Sequence, residues 1–130
     1  MIVSTAALCL AANIYFEARN QSIPGQYAVA LVTMNRAGTA KHVCTEVFRP
    51  KQFSWANQGV ARQGRGWKVP TPREQAAWAL AQRISKVTLA GRMADFTWGS
   101  THYHTLAVAP TWRLRLTKVK RIGSHIFYAA

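Results

Sequence analysis

Residues 4–20 read STAALCLAANIYFEARN. Ser4 or Thr5 suits a helix N-cap, and the run that follows predicts a helix to about Asn20. From Ala6 to Ile14 only Asn13 is polar, so this helix is apolar on every face. Such a helix belongs in the middle of a domain, covered on all sides. Its last turn carries Glu17, on the face shared by Leu10, Asn13 and Ile14. A carboxylate there loses water and meets the negative end of the helix dipole, and both effects raise its pKa. A general acid working near neutrality needs that shift. A structural reading stays open beside this one, in which Glu17 pairs with Arg19 or another arginine at a helix end.

Outward from this helix, Gln21 and Ser22 break the run and Pro24-Gly25 begin a second helix. Tyr27, Ala28, Leu31, Val32 and Met34 recur at helical spacing through to Arg36, with Gly38 as the stop. Thr39 to Pro70 reads as irregular, with an aromatic cluster of Phe48, Phe53 and Trp55 and a mobile loop from Gln58 to Gly66. Thr71, Pro72 and Glu74 form a capping box for a third helix that runs past Trp78, Ile84 and Val87 to Gly91. The period then changes. Leu114, Leu116, Lys118, Lys120 and Ile122 are expected on one face of a strand, and Gly123-Ser124 turns it into a second strand, His125 to Tyr128. The layout is an α+β single domain spanning residues 1–130, predominantly helical, with a small C-terminal β-hairpin.

The chain has 17 Lys and Arg against 4 acids, a formal net charge of +13. A field of that size draws the protein to polyanions: nucleic acid, an acidic membrane or lipopolysaccharide, or a cell wall with peptide carboxylates. No helix-turn-helix, RNP or zinc-finger pattern is present, so specific nucleic-acid binding is not expected. The basic run Arg113, Arg115, Lys118, Lys120 and Arg121 is a solvated hairpin edge or a patch that grips an anionic envelope. Met1 to Phe16 has no basic start and no small-residue cleavage site, and it is short for a membrane span. Synthesis in a cytoplasm without a signal peptide is the expectation. Cys9 and Cys44 are either two buried thiols or one bridge formed outside the cytoplasm.

Few acids make the search for chemistry short. Glu74 is assigned to capping, Glu46 to an exposed loop and Asp95 to a polar turn, which leaves Glu17. Glycosidases commonly use two carboxylates. Glu46, and less well Asp95, are the candidates for a second. One carboxylate suffices if it protonates the leaving oxygen and then, as a base, lets the sugar's own 6-hydroxyl close an anhydro ring. His102, His104 and His125 with a Glu would make a zinc set. His102 and His104 are expected on opposite faces of a strand, and no HExxH helix exists, so neither metal nor cofactor is expected.

Several segments together resemble the SleB/CwlJ-type cell wall hydrolases: CLAANIYFEARNQSIPGQYAVALVTMNR at 9–36, VCTEVFRPKQFSW at 43–55, THYHT at 101–105, P-x-W at 110–112 and IGSHIFY at 122–128. The resemblance implies a lysozyme-like fold and attack on the glycan between N-acetylmuramic acid and N-acetylglucosamine. The glutamate of the EAR segment, Glu17 here, is the implied catalytic residue. Gln52, Phe53 and Ser54 fall in a cleft-lining motif, and His104, Trp112 and His125 fall on other family-typical positions, as cleft or scaffold residues. Asn20-Gln21 stand where the family often has Gly-Glu, and Lys51 and Asn57 where many relatives carry cysteines. Cys9 and Cys44 match two other family cysteines, and their joint retention points to a bond between them.

The expectation is a monomeric peptidoglycan-degrading enzyme, a lytic transglycosylase with Glu17 as acid and base. It is expected to serve as a phage endolysin that acts on the wall in the periplasm. A water-using muramidase, an N-acetylmuramoyl-L-alanine amidase and a basic nucleic-acid-binding protein are the rivals.

Overall fold

A computed structural model describes residues 1–49, 55 and 60–130. The first helix, α1 (Ala6–Ala18), starts where the Thr5 hydroxyl accepts from the Leu8 amide at 3.2 Å. Cys9 to Tyr15 and Ala18 are all buried, as an all-apolar helix requires. Its buried amide side chain, Asn13, accepts from the Thr33 hydroxyl at 2.6 Å and so ties α1 to α2 (Ile23–Ala37). In α2 the cap is Ser22, and the helix begins at Ile23, one position before the expected Pro24. Its hydroxyl accepts from the Gly25 amide at 3.3 Å. Gly38, at φ 79°, ends the helix in the left-handed region.

The stretch from Thr39 onward is more ordered than its composition implies. A 3-10 turn at Ala40–His42 leads into a short helix, α3 (Val43–Val47). Cys44 on α3 forms a disulfide with Cys9, with 5.2 Å between the Cα atoms. The expected mobile loop holds strands instead. β2 (Ala61–Gln63) and β3 (Gly66–Lys68) pair antiparallel, and β3 pairs in turn with β1 (Ile2–Val3) near the N-terminus. Strands this short carry no alternating hydrophobic signal to read. Gly66 is required here, since a Cβ would lie 2.7 Å from the Val3 carbonyl oxygen.

The last long helix, α4 (Gln75–Leu89), corrects the capping-box expectation. Glu74 is its N-cap, with no side-chain cap hydrogen bond. The Tyr15 hydroxyl, reaching over from α1, accepts from the amides of Arg73 and Glu74 at 3.1 and 3.0 Å. Those donors are thereby satisfied without Thr71, and the Glu74 carboxylate pairs with Arg19. The Ser85 hydroxyl donates to the Ala7 carbonyl at 2.7 Å and holds α4 against α1.

A second sheet has the order β4 (His102–Thr105), β6 (His125–Ala129), β5 (Thr117–Ile122), all antiparallel. Gly123-Ser124 forms the expected two-residue turn, with Gly123 at φ 57°. Thr111–Arg115 is a 3-10 turn rather than the start of the strand. Within β5 a register shift pairs Lys118 with Tyr128 and Lys120 with the adjacent Phe127. The two lysines therefore leave opposite faces, against the expectation of one shared face. One sheet face, bearing Phe127, packs on Ala28 and Val32 of α2 with Phe96, Tyr103 and Ile122 around them. The architecture is α+β and mostly helical. Among the described residues no helix is long and apolar enough to cross a membrane.

Candidate active site

Glu17 sits in the last turn of α1, where the helix emerges from the core beside a cavity of about 370 Å³. Phe16, Arg19, Asn20 and Glu74 form the rest of the wall. Burial pushes the Glu17 carboxyl from its ordinary 4.5 up to about 7. Two donors work in the opposite direction by favouring the anion. The Tyr103 hydroxyl donates to Oε2 at 3.1 Å, and the Trp55 indole N–H also donates to the carboxylate. The result is a carboxyl group poised between its two forms near neutral pH.

Arg19, the expected structural partner, turns away from Glu17. It bonds Glu74 and lies 5.0 Å from the centre of the Tyr15 ring. Among the described residues Glu17 makes no ion pair with Arg19 or another arginine, and it lines the cavity.

Neither candidate for a second carboxylate is free. Glu46 is buried on α3, not in an exposed loop, and lies 3.6 Å from Arg36 and 3.5 Å from Arg49. Asp95 accepts from the Thr97 and Gly99 amides at 2.9 and 2.8 Å and from Asn35 at 3.0 Å. These bonds more than offset its partial burial and hold its pKa below the usual carboxylate value. Both acids organise loops.

The sheet sorts the remaining expected residues. Residues two apart on a strand share a face, so His102 and His104 lie together, a correction to the expectation of opposite faces. Both rings lean on Trp112, at 5.0 and 5.7 Å. His104 Nδ1–H donates to the Thr105 carbonyl at 2.8 Å, which leaves Nε2 to accept from the Tyr128 hydroxyl at 2.9 Å. Tyr103, between the two histidines, takes the other face and reaches Glu17. His104 and Trp112 thus stand on the side of the sheet away from the carboxylate.

His125 shares the Tyr103 side. It is 2% exposed, and its ring lies 5.0 Å from that of Tyr103. Burial first, and the neighbouring His104 second, lower its pKa, so it stands neutral behind the tyrosine that holds Glu17. Gln52, Phe53 and Ser54 lie outside the described residues. Their neighbour Trp55 stacks on Phe16 at 4.9 Å and meets Phe48 edge-on at 5.9 Å. Among the described residues no group of three or more His, Cys, Asp or Glu is arranged to hold a metal ion.

Sequence reasoning missed Tyr103 and the bond from Trp55. The signal for Tyr103 was its place in HYHT: once His102 and His104 share a face, the residue between them must leave by the other.

The cell wall hydrolase family matches residues 20–128. A spore cortex-lytic enzyme of Halalkalibacterium halodurans is 30% identical over 122 residues, which is 91% of this chain. The chain spans about a third of that relative's length (33%). The catalytic domain of the germination-specific lytic transglycosylase SleB from Bacillus anthracis superposes with a TM-score of 0.72 at 25% identity, over 95% of this chain and 93% of that one. The catalytic domain of the Bacillus cereus SleB protein does so at 0.69 and 27%, over 95% and 90%. The fold is lysozyme-like. With residues 20–128, most of its length, inside the match, the chain belongs to the cell wall hydrolase family.

Proposed function

We propose that the chain cuts peptidoglycan glycan strands between N-acetylmuramic acid and N-acetylglucosamine as a lytic transglycosylase. The carrying observation is the Glu17 carboxyl at the cavity wall, its pKa raised to about 7, while Glu74 on the same wall is paired with Arg19 and Glu46 and Asp95 are committed elsewhere. Protonated Glu17 gives its proton to the glycosidic oxygen as the bond from the muramoyl C1 breaks. The muramoyl 6-hydroxyl then attacks C1 and loses its proton to the Glu17 carboxylate. A 1,6-anhydro end forms and the acid is restored, with no water consumed. Tyr103 and Trp55 donate to the carboxylate in its anionic stage and keep it aimed.

The place of action in this reading is the periplasmic wall, in host lysis, as a phage endolysin made in the cytoplasm. The Cys9–Cys44 disulfide suits an oxidising compartment, and the +13 charge suits an anionic envelope. Digestion of purified peptidoglycan followed by mass analysis of the fragments tests the chemistry. Anhydromuramyl ends are expected. Reducing ends would instead mean a muramidase, and freed peptides an amidase. For the biological role, production in the cytoplasm together with a pore-forming protein should lyse a Gram-negative host, whereas production without the pore should not.

A further inference from the structure

A second cavity, of about 450 Å³, opens beside the one that holds Glu17. The two share Phe16, Arg19 and Glu74, so one begins where the other ends. Tyr15, Pro70 and Arg73 build its far side. The charges on this wall are two guanidinium groups and one carboxylate. Glu74 is matched by Arg19, while Arg73 is exposed and has no ion-pair partner among the described residues. The backbone that carries Arg73 is fixed, because the Tyr15 hydroxyl accepts both its amide and that of Glu74. The wall therefore presents a net positive charge on a rigid rim, over the apolar faces of Tyr15, Phe16 and Pro70.

A glycan strand whose scissile bond lies at Glu17 carries a peptide on each muramic acid, and that peptide carries carboxylates. Guanidinium groups bind carboxylates through paired, charge-assisted hydrogen bonds. We propose that this cavity binds a carboxylate of the stem peptide through Arg73, with Arg19 as the second donor, and so selects peptide-bearing glycan over bare glycan. The assignment rests on the glycan-cleaving reading above. Glu74 holds Arg19 in place until the substrate carboxylate arrives to share it.

The test compares cleavage of soluble peptide-bearing glycan strands with cleavage of the same strands stripped of peptide by an amidase. The enzymes are the wild type, Arg73→Gln, Arg73→Lys and Arg83→Gln. The last removes the same charge from the exposed flank of α4, outside the cavity. The expected result is a rise in KM of about tenfold for Arg73→Gln on peptide-bearing strands, the size of one charge-assisted contact. On stripped strands the change should stay within about twofold, as should that of Arg83→Gln on either substrate. Arg73→Lys should recover part of the loss. Equal losses on both substrates, equal losses in Arg83→Gln, or no loss at all would overturn the proposal. A wild-type enzyme that cuts neither substrate would overturn the glycan-cleaving reading and this assignment with it.

Discussion

Replacing Glu17 by Gln keeps the side chain's shape and removes its proton chemistry. Loss of a general acid and base costs on the order of 10²–10⁴ in rate, so lysis by the variant should fall by at least the lower figure. Its stability should change the other way. The folded-state pKa is about 7 against 4.5 for the free group, so folding disfavours the anion. That penalty is absent below pH 4.5, grows as pH rises towards 7 and is complete above it. Glutamine avoids it. We expect Glu17→Gln to be more stable than wild type by about 1–3 kcal/mol at pH 8, and equal to it at pH 4, by thermal or urea unfolding. A Gln variant less stable at pH 8 would contradict burial as the origin of the shift. Tyr103→Phe tests the opposing effect. Without the Tyr103 donor the anion loses support, the Glu17 pKa rises, and the high-pH limb of kcat/KM should move upward. A limb that stays put or moves down would mean Tyr103 does not act through Glu17. At this scale Glu17 was legible because its helix is apolar on every side. Tyr103 was hidden by a misjudged strand face.

Elements were legible where one helix could be read whole. α1 and α2 stand within a few residues of their expected spans, because hydrophobic spacing and the Thr5 and Gly38 signals agree. α4 misled, because Thr71-Pro72-Arg73-Glu74 is a capping box by composition while a distant hydroxyl, Tyr15, takes the amides. Tertiary contacts of that kind have no local trace in the chain. The short strand β1 joins the local β2–β3 pair through pairing across more than sixty residues, as between Val3 and Trp67, and the bulge in β5 breaks the alternation that would have announced its faces. The disulfide joins α1, which carries Glu17, to α3, and closes a loop with a sequence separation of 35. Removing such a link destabilises by about 3–4 kcal/mol in the chain-entropy account. Reduction, or the double change Cys9→Ser with Cys44→Ser, should lower the melting temperature by roughly 10–15 °C. Identical melting with and without reductant would show that the bond carries no stability.

For the molecule as a whole, each of the four acids is engaged by partners within the fold, while most of the cations lie at the surface. Glu17 is half-buried, Glu46 lies between Arg36 and Arg49, Asp95 organises its loop, and Glu74 is matched by Arg19. The four acids offset only part of the 17 cations, and the formal net charge of +13 acts on the surroundings. The β5 bulge also divides the basic run. Lys120 lies over the Phe96 ring at 5.7 Å, while Lys118 leaves by the other face. In the proposed function, attraction to a wall would thus belong to the whole surface rather than to one hairpin edge. Such attraction acts over the Debye length, which falls from about 10 Å at 0.1 M salt to about 3 Å at 1 M. The cut itself, inside a partly dry cleft, is screened far less. Clearing of intact, insoluble walls should therefore drop at least about tenfold over that salt range, while cleavage of short, peptide-free glycan fragments should change by no more than about twofold. Equal losses on both substrates would place the salt effect in the catalytic cleft. Clearing that stays flat with salt would mean the charge has no part in finding the wall.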